Sequence, residues 1–157
     1  MDTDEKREQL AALAEEMFEL GKLGSRVRAA SRTDEGVDSL TETETLALDL
    51  LRKHGEMSVG EIQKGVGVLP AQMSRIIRSL EDKGGKPFIK CSINPNDRRK
   101  IDVSLTPEGA KALEAYRQER LGVTMGILSV LEVSEREEFM RILRKIRDHL
   151  NKSIKNR

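Results

Sequence analysis

Gln72, Ser74, Arg75 and Arg78 lie close together in the chain, and each carries hydrogen-bonding groups of the kind that read base edges. A carboxamide can bond adenine twice and a guanidinium can bond guanine twice from within a major groove. A second group follows downstream, with Lys90 on its approach and Asp97, Arg98, Arg99 and Lys100 in sequence. Four cations there suit phosphate oxygens or a narrow, strongly negative minor groove.

Both groups need elements to hold them. The spacing predicts a helix over 70–83, because Met73, Ile76, Ile77 and Leu80 recur at i, i+3, i+4 and i+7 and form one apolar stripe. Gln72, Ser74, Arg75, Arg78 and Ser79 are left on its outer face. Beyond it, Ile89, Cys91 and Ile93 alternate with Lys90 and Ser92, and Ile101, Val103 and Leu105 alternate with Asp102 and Ser104. Two half-buried strands of period two follow from that alternation. Asn94-Pro95-Asn96-Asp97 between them is turn chemistry, so the hairpin carries Arg98, Arg99 and Lys100 at its tip. A reader helix followed by a basic hairpin is the pattern of a winged helix-turn-helix.

The charge distribution agrees. Residues 70–100 hold eight Lys or Arg and three acids, a net +5, whereas the whole chain of 157 residues carries only +1. The remainder therefore sums to −4. Positive charge concentrated on one segment of a near-neutral chain is a local footprint for a polyanion. With 35% charged and 3% aromatic residues, long solvent-washed helices are expected rather than a β-sandwich.

The remaining segments read as supports. Residues 4–32 form a first helix, with Leu10, Leu13, Met17, Leu20, Gly24 and Val27 alternating in steps of three and four. Thr33-Asp34-Glu35-Gly36 breaks it. Thr41 and Glu44 then make a capping box that starts a helix with Leu46, Leu50 and Leu51 inward. Ser58 and Glu61 make a second box, opening a short helix that ends near Gly65 to Gly67 and turns into Pro70. Thr106-Pro107-Glu108 begins another helix with Leu113, Tyr116 and Leu121, in which Gly122 and Gly126 are expected to place a kink or a division. A third box at Ser134-Glu135-Arg136-Glu137 opens the last helix, striped by Phe139, Ile142, Leu143, Ile146 and Leu150. The polar tail from Asn151 is expected to fray.

These residues carry a resemblance. Asp97-Arg98-Arg99-Lys100-Ile101-Asp102-Val103, closing in Leu105-Thr106 with Gly109 three residues on, resembles the wing signature of the MarR family of bacterial transcriptional regulators. Ile62 to Val68 followed by Ala71-Gln72-Met73-Ser74-Arg75 is similar to that family's helix-turn-helix. The resemblance implies a fold that is mainly α with a small two- to three-stranded β wing, a single winged-helix domain over 1–157. Within it, 40–105 would be the DNA-binding lobe, and 4–32 and 107–154 the dimerisation helices. It further implies an obligate homodimer and a repressor on a pseudo-palindromic operator, with helix 70–83 in the major groove and wing 94–100 in the minor groove. The DNA-binding residues carried over are Ala71, Gln72, Ser74, Arg75, Arg78, Lys90, Asp97, Arg98, Arg99 and Lys100. Arg99 is then the minor-groove side chain, and Asp97 orients an arginine rather than touching DNA. Because family members commonly bind small aromatic molecules, a small aromatic effector is implied as well. Two departures stand out: Leu69 occupies the recognition helix's N-cap, and the exit through Gly84-Gly85-Lys86-Pro87 is about two residues longer than the family's.

Other functions find little support in the residues. No phosphate loop, nucleophile elbow or metal motif is present, His54 and His149 are isolated, and neither an enzyme nor a cofactor is expected. No apolar run is long enough to span a membrane. The charged start, Met1 to Lys6, is unlike a secretory leader, so a cytoplasmic location is expected. Cys91 alternates with Ile89 and Ile93 onto the apolar face, where a thiol is inert, and no redox role is expected. The competing readings are a winged-helix protein-interaction module without specific DNA binding, and a ligand-binding sink. The basic wing favours DNA over both, and the scarcity of aromatics weighs against a protein-docking surface.

Overall fold

The computed structural model describes residues 3–30 and 40–155. The break placed at Thr33 to Gly36 lies outside them. The order is α1 (Thr3–Ala30), α2 (Glu42–His54), β1 (Met57–Ser58), α3 (Val59–Val66), α4 (Pro70–Glu81), β2 (Ile89–Ile93), β3 (Ile101–Leu105), α5 (Pro107–Leu128) and α6 (Val133–Lys155). The chain divides into two compact units, Met1–Arg117 and Gln118–Arg157.

In the first unit, short-range sequence signals set the helix starts. Thr41 Oγ1 accepts from the Glu44 amide at 3.2 Å while Glu44 Oε2 accepts from the Thr41 amide at 2.7 Å. Ser58 and Glu61 repeat this reciprocal arrangement at 3.3 and 2.8 Å. Gly67 ends α3 in the left-handed conformation, and the chain turns directly into Pro70 of α4. The stripe on α4 is buried as its spacing requires, with Met73, Ile76 and Leu80 inside. They join Leu48 of α2, Ile62 of α3, Ile89 of β2 and Val103 of β3 in one core. Each such side chain contributes roughly 1.5–3 kcal/mol by leaving water.

The sheet has three antiparallel strands in the order β1-β3-β2, so β3 is central. Lys90 pairs with Ser104, Cys91 with Val103, and Ser92 with Asp102, while Ser58 pairs with Asp102 from the other side. The half-buried alternation expected for both strands holds only near the body of the fold. Ile93 and Ile101, paired at the far end of the hairpin, are 67% and 47% exposed. Ile89 and Val103, in contrast, belong to the core. Asp102, expected on the polar side, is buried instead because strands flank it on both edges.

Other expectations need correction. The inward face of α2 is Glu44, Ala47, Leu48 and Leu51, and Leu46 is exposed. Helix α4 stops at Glu81, with Asp82 as its C-cap, so Asp82 and Lys83 lie outside the helix expected over 70–83. Helix α5 is continuous through Gly122 and Gly126. In the second unit, Ser134 lies inside α6 rather than at its cap, and Glu135 instead accepts from the Glu132 amide at 2.8 Å, so the box expected at Ser134 is not formed. Helix α6 runs through the tail expected to fray as far as Lys155.

Candidate nucleic-acid interface

Helix α4 separates its residues cleanly. Ala71, Gln72, Ser74, Arg75 and Arg78 are all exposed, on the side opposite the buried stripe. Ser74 Oγ donates to the Pro70 carbonyl at 3.1 Å and Arg78 Nε donates to the Ser74 carbonyl at 3.3 Å. Gln72 and Arg75 have no side-chain hydrogen bond or ion pair among the described residues, which leaves their recognition groups available. At the front of α4, Leu69 supplies no side-chain cap. The positive end of the helix is therefore presented bare, an arrangement that favours an anion.

The wing is more ordered than its sequence suggests. The Asn94 carboxamide oxygen accepts from the amides of Asn96 and Asp97, both at 2.9 Å. The Asp97 carboxylate accepts from the Arg99 amide at 3.1 Å and lies 3.4 Å from Arg99 Nε. Asp97 thus orients Arg99, whose side chain is 93% exposed and stands clear of the protein. Lys90, Arg98 and Lys100 are exposed too, Lys90 on β2 and the other two at the tip. The α4 residues and the wing residues all belong to the first compact unit, in which β2 packs on α4. The charge of Lys100 also reaches Glu61 at the head of α3, helping to hold that carboxyl below its ordinary range, after the larger effect of the Ser58 hydrogen bonds.

One cation of the basic segment is tied to a buried carboxylate. Lys83 Nζ bonds both Glu44 carboxylate oxygens at 2.7 Å, and Ser79 Oγ donates to the same carboxylate at 2.6 Å. The Glu44 side chain is only 4% exposed. This three-residue lock ties the end of α4 to the start of α2 and removes Lys83 from the footprint. Capping chemistry identified Glu44 from sequence, but nothing local announced its second set of partners. Asn94 and Asp102 were missed as well, since Asn94 read only as a turn residue.

The long exit from α4 also finds its explanation. Lys83 and Lys86 exchange backbone hydrogen bonds, each 3.1 Å, around Gly84 and Gly85, whose φ values are +60° and +80°. Two consecutive positive φ values suit glycine and form a tight reversal. The Phe88 amide then bonds the Leu80 carbonyl at 2.8 Å, so the strand starts against the helix end despite the added residues.

The sequence model of the MarR family matches residues 40–101, which hold the helix-turn-helix and the wing tip. A curated relative, the HTH-type transcriptional repressor NicR of Pseudomonas putida, is 31% identical over 109 residues, 69% of this chain and 67% of NicR. The chain belongs to the MarR family. Among solved MarR-like folds, YusO of Bacillus subtilis superposes with a TM-score of 0.69 at 24% identity, covering 94% of this chain and 99% of YusO. BpsR of Bordetella bronchiseptica, whose DNA binding is regulated by 6-hydroxynicotinic acid, superposes with a TM-score of 0.57 at 24% identity, covering 83% and 98%. This MarR-family chain is accordingly a helix-turn-helix transcriptional regulator, which decides against the protein-interaction module.

Cys91 stands apart from this interface. It is partly buried on β2, and burial together with the neighbouring Glu81 carboxylate pushes its thiol up to about 11. At neutral pH the reactive thiolate is then scarce. A thiol reagent is expected to label the native protein far more slowly than the same protein in denaturant. Equal labelling rates would contradict this placement.

Proposed function

We propose that the protein acts as a homodimeric repressor on a pseudo-palindromic operator. Each α4 enters a major groove through Gln72, Ser74, Arg75 and Arg78, with the bare helix start at Ala71 against a phosphate. Each wing lays Arg98 and Arg99 into the adjoining minor groove, and Lys90 and Lys100 bind backbone. Half-sites about one helical turn apart, roughly 34–36 Å, follow from this geometry. The observation that carries the reading is the exposed pair Gln72 and Arg75, without partners among the described residues, on a helix whose opposite face is locked into the core.

Apolar stripes support the dimer. On α1, Leu10, Leu13, Met17, Leu20 and Leu23 are each more than half exposed. On α6, which has no buried residue among those described, Phe139, Ile142, Leu143, Ile146 and Leu150 are 39–55% exposed. Helices with such stripes need a partner surface. The ligand regulation of BpsR supports a small aromatic effector acting on DNA release. No helix among the described residues is long and apolar enough to cross a membrane, and a cytoplasmic regulator is consistent with that.

Binding of the full chain to DNA from upstream of its own gene, measured at several salt concentrations beside an unrelated duplex, tests the proposal. Sequence-preferring binding that weakens linearly in log affinity against log salt is expected. Arg75→Ala should lose about 1–3 kcal/mol and relax one position of the site if Arg75 reads a base. Equal weak binding to both duplexes, or an unchanged Arg75→Ala variant, would remove this face from the interface.

A further inference from the structure

We propose that Asn94 and Asp102 are positioning residues that set the wing in its DNA-binding shape before DNA arrives. The inference rests on the reading that the wing contacts DNA, and it assigns a role to two side chains outside that contact. Asn94 is the hub. Its carboxamide oxygen takes the amides of Asn96 and Asp97, its Nδ2 donates to Asp102 Oδ2 at 2.7 Å, and its backbone amide donates to the Lys100 carbonyl at 3.0 Å. One residue thereby ties the turn ahead of it, the closing residue and the central strand.

Asp102 explains why the hub holds still. It sits on β3 between Ser58 and Ser92 of the flanking strands and is 8% exposed. A carboxylate in such a place is costly unless hydrogen-bonded. Here it offers Asn94 an acceptor fixed by the strands on either side. From Asp102 the order passes through Asn94 to Asp97, and from Asp97 to the Arg99 amide and guanidinium. Pro95 within the turn fixes one further φ.

A wing not tied in this way would surrender backbone freedom on entering the groove. Freeing a single residue's backbone corresponds to about a tenfold loss of affinity. The loss would fall on the arginine that the turn presents, and this separates a positioning role from general support of the fold.

The test uses the full-length protein and a duplex enriched by the wild type from a randomised library, with melting temperature followed in parallel. Asn94→Ala is expected to weaken binding about tenfold when measured well below the unfolding transition, beside a lower melting temperature because Asp102 loses its partner. Combined with Arg99→Ala, it should weaken binding no further than Arg99→Ala alone, because both changes remove the same contact. The exchange of Asn94→Asp with Asp102→Asn keeps every hydrogen bond with one donor and acceptor reversed, and should restore affinity. Additive losses, or a loss that tracks melting temperature and is not restored by the exchange, would overturn the proposal. Wild-type binding by Asn94→Ala beside a weakened Arg99→Ala would overturn the positioning role alone. An unaffected Arg99→Ala would overturn the wing reading and the positioning role with it.

Discussion

Gly109→Ala is expected to unfold the first compact unit at temperatures the parent tolerates, with a loss of about 3 kcal/mol or more. A Cβ at Gly109 would lie 2.1 Å from the Phe88 carbonyl oxygen, 2.9 Å from its carbonyl carbon and 3.0 Å from Leu105 Cδ1. The first two are backbone atoms and cannot swing aside. Moving Phe88 is costly on each side. Its amide bonds Leu80 at the end of α4, its carbonyl accepts from the Thr106 amide at 3.1 Å, and its ring is in the core. Thr106 fastens the same junction, donating its hydroxyl to the Pro87 carbonyl at 2.7 Å and accepting from the Gly109 amide at 3.0 Å. The Leu-Thr-Pro-x-Gly run is therefore a clamp between the strand entry and the start of α5. Thermal unfolding by circular dichroism should show a fall of roughly 10 °C. Gly60→Ala, where a Cβ meets nothing within 4 Å, is the control and should be neutral or slightly stabilising. Similar melting temperatures for the two variants would contradict the clamp.

The second large effect is expected at Glu44. Removing one partner of a buried ion pair leaves the other without compensation, and Glu44→Ala should cost about 3–5 kcal/mol. Lys83 and Ser79 would lose their acceptor and α2 its capping box. The pH dependence carries its own sign. Burial alone raises the Glu44 carboxyl, but hydrogen bonds from Lys83, Ser79 and Thr41 outweigh it and hold the group below its ordinary 4.5. A carboxyl depressed in the folded state stabilises fully above its unfolded value and loses that contribution as pH falls through the folded value. The stability gap between wild type and Glu44→Gln, measured by urea unfolding, should thus be wide near neutrality and should shrink below pH 4.5. A gap that stays constant into acid would show that the lock does not depend on ionised Glu44.

These two sites also mark where sequence reading succeeds and where it stops. Thr41, Ser58 and the stripe from Met73 to Leu80 were legible because each depends on neighbours within a turn or two of helix. The exposed reader face was legible for the same reason, whereas the orienting role of Asp97 followed only from the family resemblance. The second role of Glu44 was not, since Ser79 and Lys83 stand 35 and 39 residues away. Asp102 was misplaced because alternation along one strand is blind to what lies beside it. Only the pairing of the two-residue β1 makes β3 central. Ile93 and Ile101 obey the alternation yet stay wet, because alternation names a face of the strand and not whether anything packs on it. Leu46 shows the same limit on a helix, where several apolar faces compete and tertiary packing selects one.

The reversal from Lys83 to Lys86 separates two properties of the chain that are usually joined, namely its length and its register. Its two ends bond one another, and the strand beyond is anchored independently through Phe88 to Leu80. Residues can enter or leave such a closed detour without shifting Ile89 against Leu105 or turning the wing over. A lineage can therefore experiment with size at this spot while every downstream side chain keeps its facing.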